Sequence, residues 1–314
     1  MERLAFGVDL RDHKVPEISD ENSQDSTNQA AMLSDPNELQ ATYWEERSTS
    51  WIEADKHHER VSGTFTPALF DALSLRPGER VLDVGCGTGP TTLEAARIVG
   101  PTGHAVGLDI AEGMLSRARQ MAGDEGVSNV SFRRGDAQTD DLGSEAFDAV
   151  CSRFGVMFFA DPVSAFFNLR GALTAGGRVA FLCWRTVIDN EWMLVPGMAV
   201  LNVTGQLPPM PAEGEPGPFS LADDARIRSV MAEAGFRDVS IALQERTVSL
   251  PESEVADFVT MASKIGAMGE ALREITDPSV TNAVLEGLRS AIEERIVEGV
   301  ASLKAAAWLV SATR

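Results

Sequence analysis

Short apolar runs alternate with helix-compatible stretches through the middle of the chain, and this alternation sets the expected architecture. Val81–Val84, His104–Asp109, Val130–Arg134, Ala146–Arg153 and Gly177–Trp184 are brief and mostly apolar, as buried strands are. Between them, Thr91–Val99 and Ala111–Ala122 are compatible with helix. A third helix follows Asp161-Pro162, an N-cap acid with proline at the first helical position, and carries Ala165, Phe166, Leu169 and Leu173 at helical spacing. Strands and helices that mostly alternate predict an α/β fold, doubly wound around a mostly parallel sheet. Further on, Leu221–Ala234 puts Ile227, Val230, Met231 and Ala234 on one helical face, with Gly235 as its stop. In Phe236–Leu250, Val239, Ile241 and Leu243 alternate as in a strand. A helical block then runs from Glu252 to about Glu298, and Ala305–Ala312 closes the chain as an apolar strand.

The two ends and one internal stretch depart from this alternation. Residues 1–37 read as a disordered tail, because Glu17–Gln29 is too polar to offset the entropy of folding. A helix is expected from Ala41 to about Arg60, where Trp44, Trp51 and His58, spaced by seven, fall along one stripe. That stripe either packs on the sheet or walls a cleft. Arg185–Trp192 starts a connection that becomes Gly205–Phe219, a surface loop on account of its five prolines and three glycines.

The sharpest motif is Val81-Leu82-Asp83-Val84-Gly85-Cys86-Gly87-Thr88-Gly89. Glycines this close let the backbone approach a ligand and adopt positive φ, and the helix that follows offers unpaired N–H groups. The dinucleotide fingerprint G-x-G-x-x-G needs its third glycine three residues after the second; here position 90 is Pro90 and the pattern is G-x-G-x-G. A nicotinamide-dependent oxidoreductase is therefore disfavoured. Asp109 lies 24 residues beyond Gly85 at the end of the second strand, where a carboxylate can accept both ribose hydroxyls.

An acidic strand followed by this turn resembles the first motif of class I S-adenosylmethionine-dependent methyltransferases, and the resemblance extends over roughly residues 60–240. Within that group, Cys151-Ser152-Arg153-Phe154-Gly155-Val156-Met157-Phe158-Phe159 followed by Asp161-Pro162 is similar to the ubiquinone/menaquinone-biosynthesis type. The resemblance implies a seven-stranded, Rossmann-like sheet with an antiparallel edge hairpin, here interrupted by a helical lid. It divides the chain into a tail (1–37), a helical cover (38–62), a cofactor-binding core (63–250), a lid (251–300) and a last core strand (301–314). It implies S-adenosylmethionine as cofactor, held by Asp83, Gly85, Cys86, Gly87, Gly89, Asp109, Ile110, Met114, Asp136, Ala137 and Arg153. Asp136 would take the adenine amino group. Trp44, Trp51, Phe154, Met157 and Trp184 are the expected acceptor contacts. His58 as a base and Arg153 as a holder of an anionic substrate oxygen are the candidates for catalysis, against the plainer readings of a solvated or capping histidine and a surface arginine.

Composition narrows the acceptor. Of 314 residues, 47 are acidic and 27 basic, a net charge of −20. Nucleic acid and anionic membrane surfaces are poor partners for such a chain. Part of the excess lies in residues 17–38, which hold no Lys or Arg. Cys86, Cys151 and Cys183 form neither a disulfide framework nor a metal-ligand spacing, and no metal site is expected. No apolar run reaches the ~20 residues of a membrane span, and no basic-then-apolar leader opens the sequence; a cytoplasmic setting is expected. The expected function is in-line methyl transfer to a small apolar or aromatic acceptor such as a quinol, a phenol or a secondary metabolite. A methyltransferase-fold binding protein without turnover is the alternative.

Overall fold

A computed structural model describes residues 36–212 and 214–314, so the expected tail, apart from its last two positions, lies outside the described residues, as does His13. Helix α1 spans Pro36–Ser62 and so begins two residues inside the stretch expected as tail. After it, α2 (Thr66–Leu73) leads into β1 (Arg80–Val84), α3 (Pro90–Val99), β2 (His104–Asp109), α4 (Glu112–Asp124), β3 (Val130–Arg134), β4 (Phe147–Arg153), α5 (Pro162–Ala172) and β5 (Leu173–Trp184). The second half adds α6 (Glu191–Thr204), α7 (Asp224–Glu233), β6 (Arg237–Pro251), α8 (Val255–Lys264), α9 (Gly266–Glu274), α10 (Pro278–Glu293), β7 (Ile296–Val297) and β8 (Val300–Thr313).

The strands form one sheet in the order β3-β2-β1-β4-β5-β8-β6, with the two-residue β7 paired to β8. Pairings β1 to β5 are parallel, whereas β8 runs antiparallel to both β5 and β6. The doubly wound, Rossmann-like arrangement is thus present, with β7 as an eighth strand. Strand order reverses between β1 and β4. Open α/β sheets leave a crevice outside the carboxyl ends of their strands at such a point.

Local chemistry explains the elements. Val81, Leu82 and Val84 are buried, since a parallel strand has helices on both faces. Asp161 caps α5 by accepting the Ser164 N–H at 3.1 Å, with Pro162 at the first helical position. Two elements differ from expectation. Residues 191–204 are helical rather than a connection; α6 buries Trp192, Val195, Ala199 and Val200, and Pro196 sits within its first two turns. Strand β8 is longer than the apolar run suggested and pairs with β6, itself where expected, from Arg237↔Thr313 to Pro251↔Val300. At the start of β8, exposed Ser302 and Lys304 alternate with buried Ala301 and Leu303, so that part lacks the apolar run of Ala305–Ala312. The three helices between β6 and β8 are built into the fold: Phe258, Met261, Met268, Val284, Leu288 and Ile292 are buried in the common core.

Candidate functional site

The glycine turn joins β1 to α3 at the carboxyl edge of the sheet, and its three glycines do different work. Gly85 has φ +66°, and a Cβ there would lie 2.8 Å from the Gly155 Cα, so two backbones interlock. Gly89 has φ +94° and starts α3; a Cβ on it would meet Ala118 and Phe132. Gly87 has φ +55° and a Cβ on it would meet nothing within 4 Å. Its Cβ position opens instead into a cavity of about 860 Å³. Gly85, Cys86, Gly87, Thr88 and Pro90 line that cavity, while Gly89 and Asp83 stand behind the wall.

Asp83 is therefore not a contact surface. It is 1% exposed, accepts a hydrogen bond from Thr92 Oγ at 2.6 Å, and leaves Oδ1 without a partner among the described residues. Burial pushes its carboxyl up to about 6, against the bond from Thr92. Asp109 does reach the cavity. Its Oδ2 accepts the Gly87 N–H at 2.8 Å and its Oδ1 the Ala111 N–H at 2.9 Å, which locks the carboxylate beside the turn. Burial raises its pKa, and those N–H groups oppose the rise. Ile110, Met114, Asp136 and Ala137 line the same end. The Asp136 loop is held by the Gln138 N–H on Asp136 Oδ1 (2.8 Å) and by Asn168, which donates to the Ala137 carbonyl (2.9 Å).

Helix α1 roofs the cavity and is tied down by polar contacts rather than by a broad apolar face. Glu45 accepts the Glu112 N–H at the start of α4 (2.7 Å), and Asp55 accepts the Thr88 hydroxyl of the glycine turn (2.9 Å). Arg47 forks onto Glu270 of α9 at 2.9 and 2.7 Å, and Tyr43 adds a weaker bond at 3.4 Å. Glu53 pairs with Lys264, and Arg60 with Glu254. At the end of β4, Arg153 forks onto Glu59 at 2.6 and 2.5 Å and also donates to Thr66 (2.9 Å). Its guanidinium is thus already engaged, and it joins the cover helix to the sheet.

The far wall is aromatic. Trp44 meets Phe158 edge-on at 4.7 Å and Trp51 at 5.5 Å; Trp51 meets His58 at 5.0 Å. The line continues through Trp192 to Trp184, which stacks on Phe154 with centroids 3.6 Å apart and planes 6° from parallel. Phe154 has φ +66°, a conformation that is strained for a bulky side chain and is found where a site requires it. Met157 lines the cavity but is 1% exposed, and its sulfur accepts the Trp184 N–H at 3.2 Å, so it supports the floor. The Trp44 stripe thus faces the cavity. Burial, with Arg153 adding to it, lowers the His58 pKa to about 3, so this imidazole is neutral near pH 7 and a weak base.

Several lining residues had escaped the sequence. Asp55 is one helical turn beyond Trp51, on the stripe already recognised, and could have been read from it. Trp192 and Met193 come from the unrecognised α6, whereas Ile265 and Met268 belong to the segment expected as a lid and line the cavity as well. The proline-rich 205–219 stretch is a loop, as expected, but Met210, Pro216 and Phe219 close one side of the cavity. It is anchored where Gly217 N–H and the Ser220 hydroxyl both donate to the Met157 carbonyl, at 3.1 and 2.5 Å.

Known proteins resemble part of this chain. A family model described as a methyltransferase domain matches residues 75–195, which contain the glycine turn, Asp109, Asp136 and Trp184. The chain contains a class I S-adenosylmethionine-dependent methyltransferase domain. Over 145 residues it is 35% identical to aklanonic acid methyltransferase DauC from Streptomyces sp. (strain C5), covering 45% of this chain and 66% of that one. Over 109 residues it is 38% identical to the ubiquinone/menaquinone biosynthesis C-methyltransferase UbiE of Saccharophagus degradans, covering 34% and 44%. The chain thus spans less than two thirds of the length of either relative. Among solved structures, the YcgJ protein from Bacillus subtilis superposes with a TM-score of 0.52 at 15% identity, over 80% of this chain and 98% of that one, which speaks to the fold.

The cofactor of this methyltransferase domain is S-adenosylmethionine, and the cavity fits it on local grounds. Gly87 leaves a backbone cradle that any Cβ would fill. Beside it stand the locked carboxylate of Asp109 and, on the next strand end, Asp136.

Proposed function

We propose that this protein methylates a small, apolar or aromatic organic acceptor. The observation that carries the reading is one continuous cavity joining the methyltransferase glycine turn to a wall of Trp44, Trp51, Trp184 and Trp192. Its volume of about 860 Å³ falls in the upper part of the ~300–1,000 Å³ range of small-molecule sites. Gly85 and Gly87 would hold the methionine part of the cofactor, Asp109 the ribose, and Asp136 with Ala137 and Met114 the adenine. When bound, S-adenosylmethionine supplies an electrophilic methyl group on a sulfonium. The chain's own contribution is alignment and the exclusion of water, which together account for much of the acceleration of an in-line displacement. Helix α1, pinned by Asp55, Glu59 and Arg47, covers one side of the cavity. Flat tryptophan faces orient a planar acceptor. Neutral His58, the polar ring in that wall, can hydrogen-bond an acceptor oxygen or nitrogen, while its low pKa makes it a positioning group rather than a strong base.

The test has two steps. Calorimetry with S-adenosylhomocysteine should show one site per chain. A panel of hydroquinones, naphthols and polycyclic phenols incubated with methyl-labelled S-adenosylmethionine should then give at least one labelled product by mass spectrometry. Failure to bind S-adenosylhomocysteine refutes the cofactor site, and binding without labelling of any acceptor favours a binding protein instead.

A further inference from the structure

The charges around the cavity are unevenly disposed, and this bears on what it admits. Among the described residues that line it, Arg153 is the one lysine or arginine. Its two terminal nitrogens are engaged: Glu59 takes Nη1 and Nη2, and Thr66 shares Nη1. The Arg153 side chain is 9% exposed and that of Glu59 37%, so the guanidinium is withdrawn from water while its carboxylate partner stays in reach of it. The acidic side chains of the wall are not balanced in the same way. Glu270 is neutralised by Arg47 and Arg273, but Asp55, Glu215 and Glu274 line the cavity and join no ion pair among the described residues. An anionic molecule entering here would give up its hydration, meet carboxylates and aromatic faces, and find no free cationic side chain to receive it.

We infer that Glu59 is a specificity-determining residue: by holding Arg153 it makes the cavity take neutral aromatic acceptors and turn away their carboxylate or phosphate counterparts. The inference rests on the acceptor reading proposed above and adds the charge class of the acceptor. The same pair ties α1 to the end of β4, so the contact that closes the roof also removes the cavity's positive charge. Releasing the guanidinium reverses the preference, because a free arginine beside an aromatic wall is a ready partner for a planar carboxylate.

Two isosteric probes, 2-naphthamide and 2-naphthoate, separate charge from shape. Equilibrium dialysis at pH 7.5, with and without saturating S-adenosylhomocysteine, should show the amide binding at least about tenfold more tightly than the carboxylate, as expected for burying an unpaired charge. Glu59→Gln keeps the size and one acceptor oxygen but removes the charge. It should move the ratio of 2-naphthoate to 2-naphthamide affinity by about tenfold or more toward the carboxylate, since any loosening of the roof acts on both probes alike whereas a freed guanidinium favours only the anion. Adding Arg153→Met to Glu59→Gln should abolish the gain. Equal affinity of the wild-type protein for the two probes overturns the inference, as does failure of 2-naphthamide to bind; this comparison needs no variant to fold. Binding of S-adenosylhomocysteine, measured separately by calorimetry, reports on the methyltransferase reading, so the two can fail independently.

Discussion

Alanine at Gly87 and alanine at Gly85 are superficially the same change, yet the structure assigns them different consequences. Both residues have left-handed φ, +55° and +66°, so an alanine at either position pays about 1–2 kcal/mol of backbone strain. At Gly87 nothing lies within 4 Å of the new methyl group, and the strain is the whole effect on the fold. At Gly85 the methyl would sit 2.8 Å from the Gly155 Cα. Backbone cannot rotate away, so overpacking adds about 1–3 kcal/mol. Gly87→Ala should therefore lower stability by about 1–2 kcal/mol in urea unfolding, and Gly85→Ala by about 2–5 kcal/mol. Ligand binding should show the opposite severity at Gly87, where the methyl occupies the space assigned to the methionine moiety. There the Kd for S-adenosylhomocysteine, measured by calorimetry on folded protein, should rise at least about tenfold, equivalent to about 1.4 kcal/mol. A Gly87→Ala protein with unchanged Kd would refute the cradle. Equal loss of stability in the two variants would refute the division between a packing glycine and an open one.

Three further outcomes follow from the same geometry. Asp109→Ala should weaken S-adenosylhomocysteine by about 1–3 kcal/mol, the loss expected when charge-assisted bonds are stranded; an unaltered calorimetric affinity removes Asp109 from the ribose. Asp83, raised to about 6 by burial, binds its proton more tightly folded than unfolded. Stability should accordingly fall as pH rises from about 4 to about 6, by up to about 3 kcal/mol, and Asp83→Asn should flatten that slope in urea titrations; a variant that keeps the slope assigns it elsewhere. Glu270→Ala frees Tyr43 and Arg47; global stability should drop by about 1 kcal/mol or less, while limited proteolysis within residues 36–62 accelerates and S-adenosylhomocysteine dissociates faster. Unchanged cleavage and off-rate would mean that this contact does not hold the roof.

The sequence alone was enough to identify the sheet and the residues from 85 to 137 that meet at one end of the cavity, because both are written locally. Strand β1 carries its turn directly behind it, and G-x-G-x-G differs in spacing from G-x-G-x-x-G within a few residues. Asp109 and Asp136 stand at strand ends that the apolar runs themselves delimit. The Trp44–Trp51–His58 stripe was legible for a similar reason, since helical periodicity puts those residues on one face whatever that face meets. What it meets was not legible. That Trp44 and Trp51 wall a cavity depends on where α1 lies, and α1 is placed by contacts with residues as distant as Glu270 and Lys264. The roles within the glycine motif were equally hidden: the separation of Gly87, facing open space, from Gly89, packed on Phe132, and the burial of Asp83 depend on neighbours from other strands. Helix α6 was missed because it is apolar with an internal proline, so it lacks the one-sided periodicity of a surface helix and acquires its stability from the helices packed around it. Local spacing decides which backbone can approach a ligand. Which side chains surround that ligand, and whether Arg153 meets it or is spent on Glu59, is decided only when distant segments pack together.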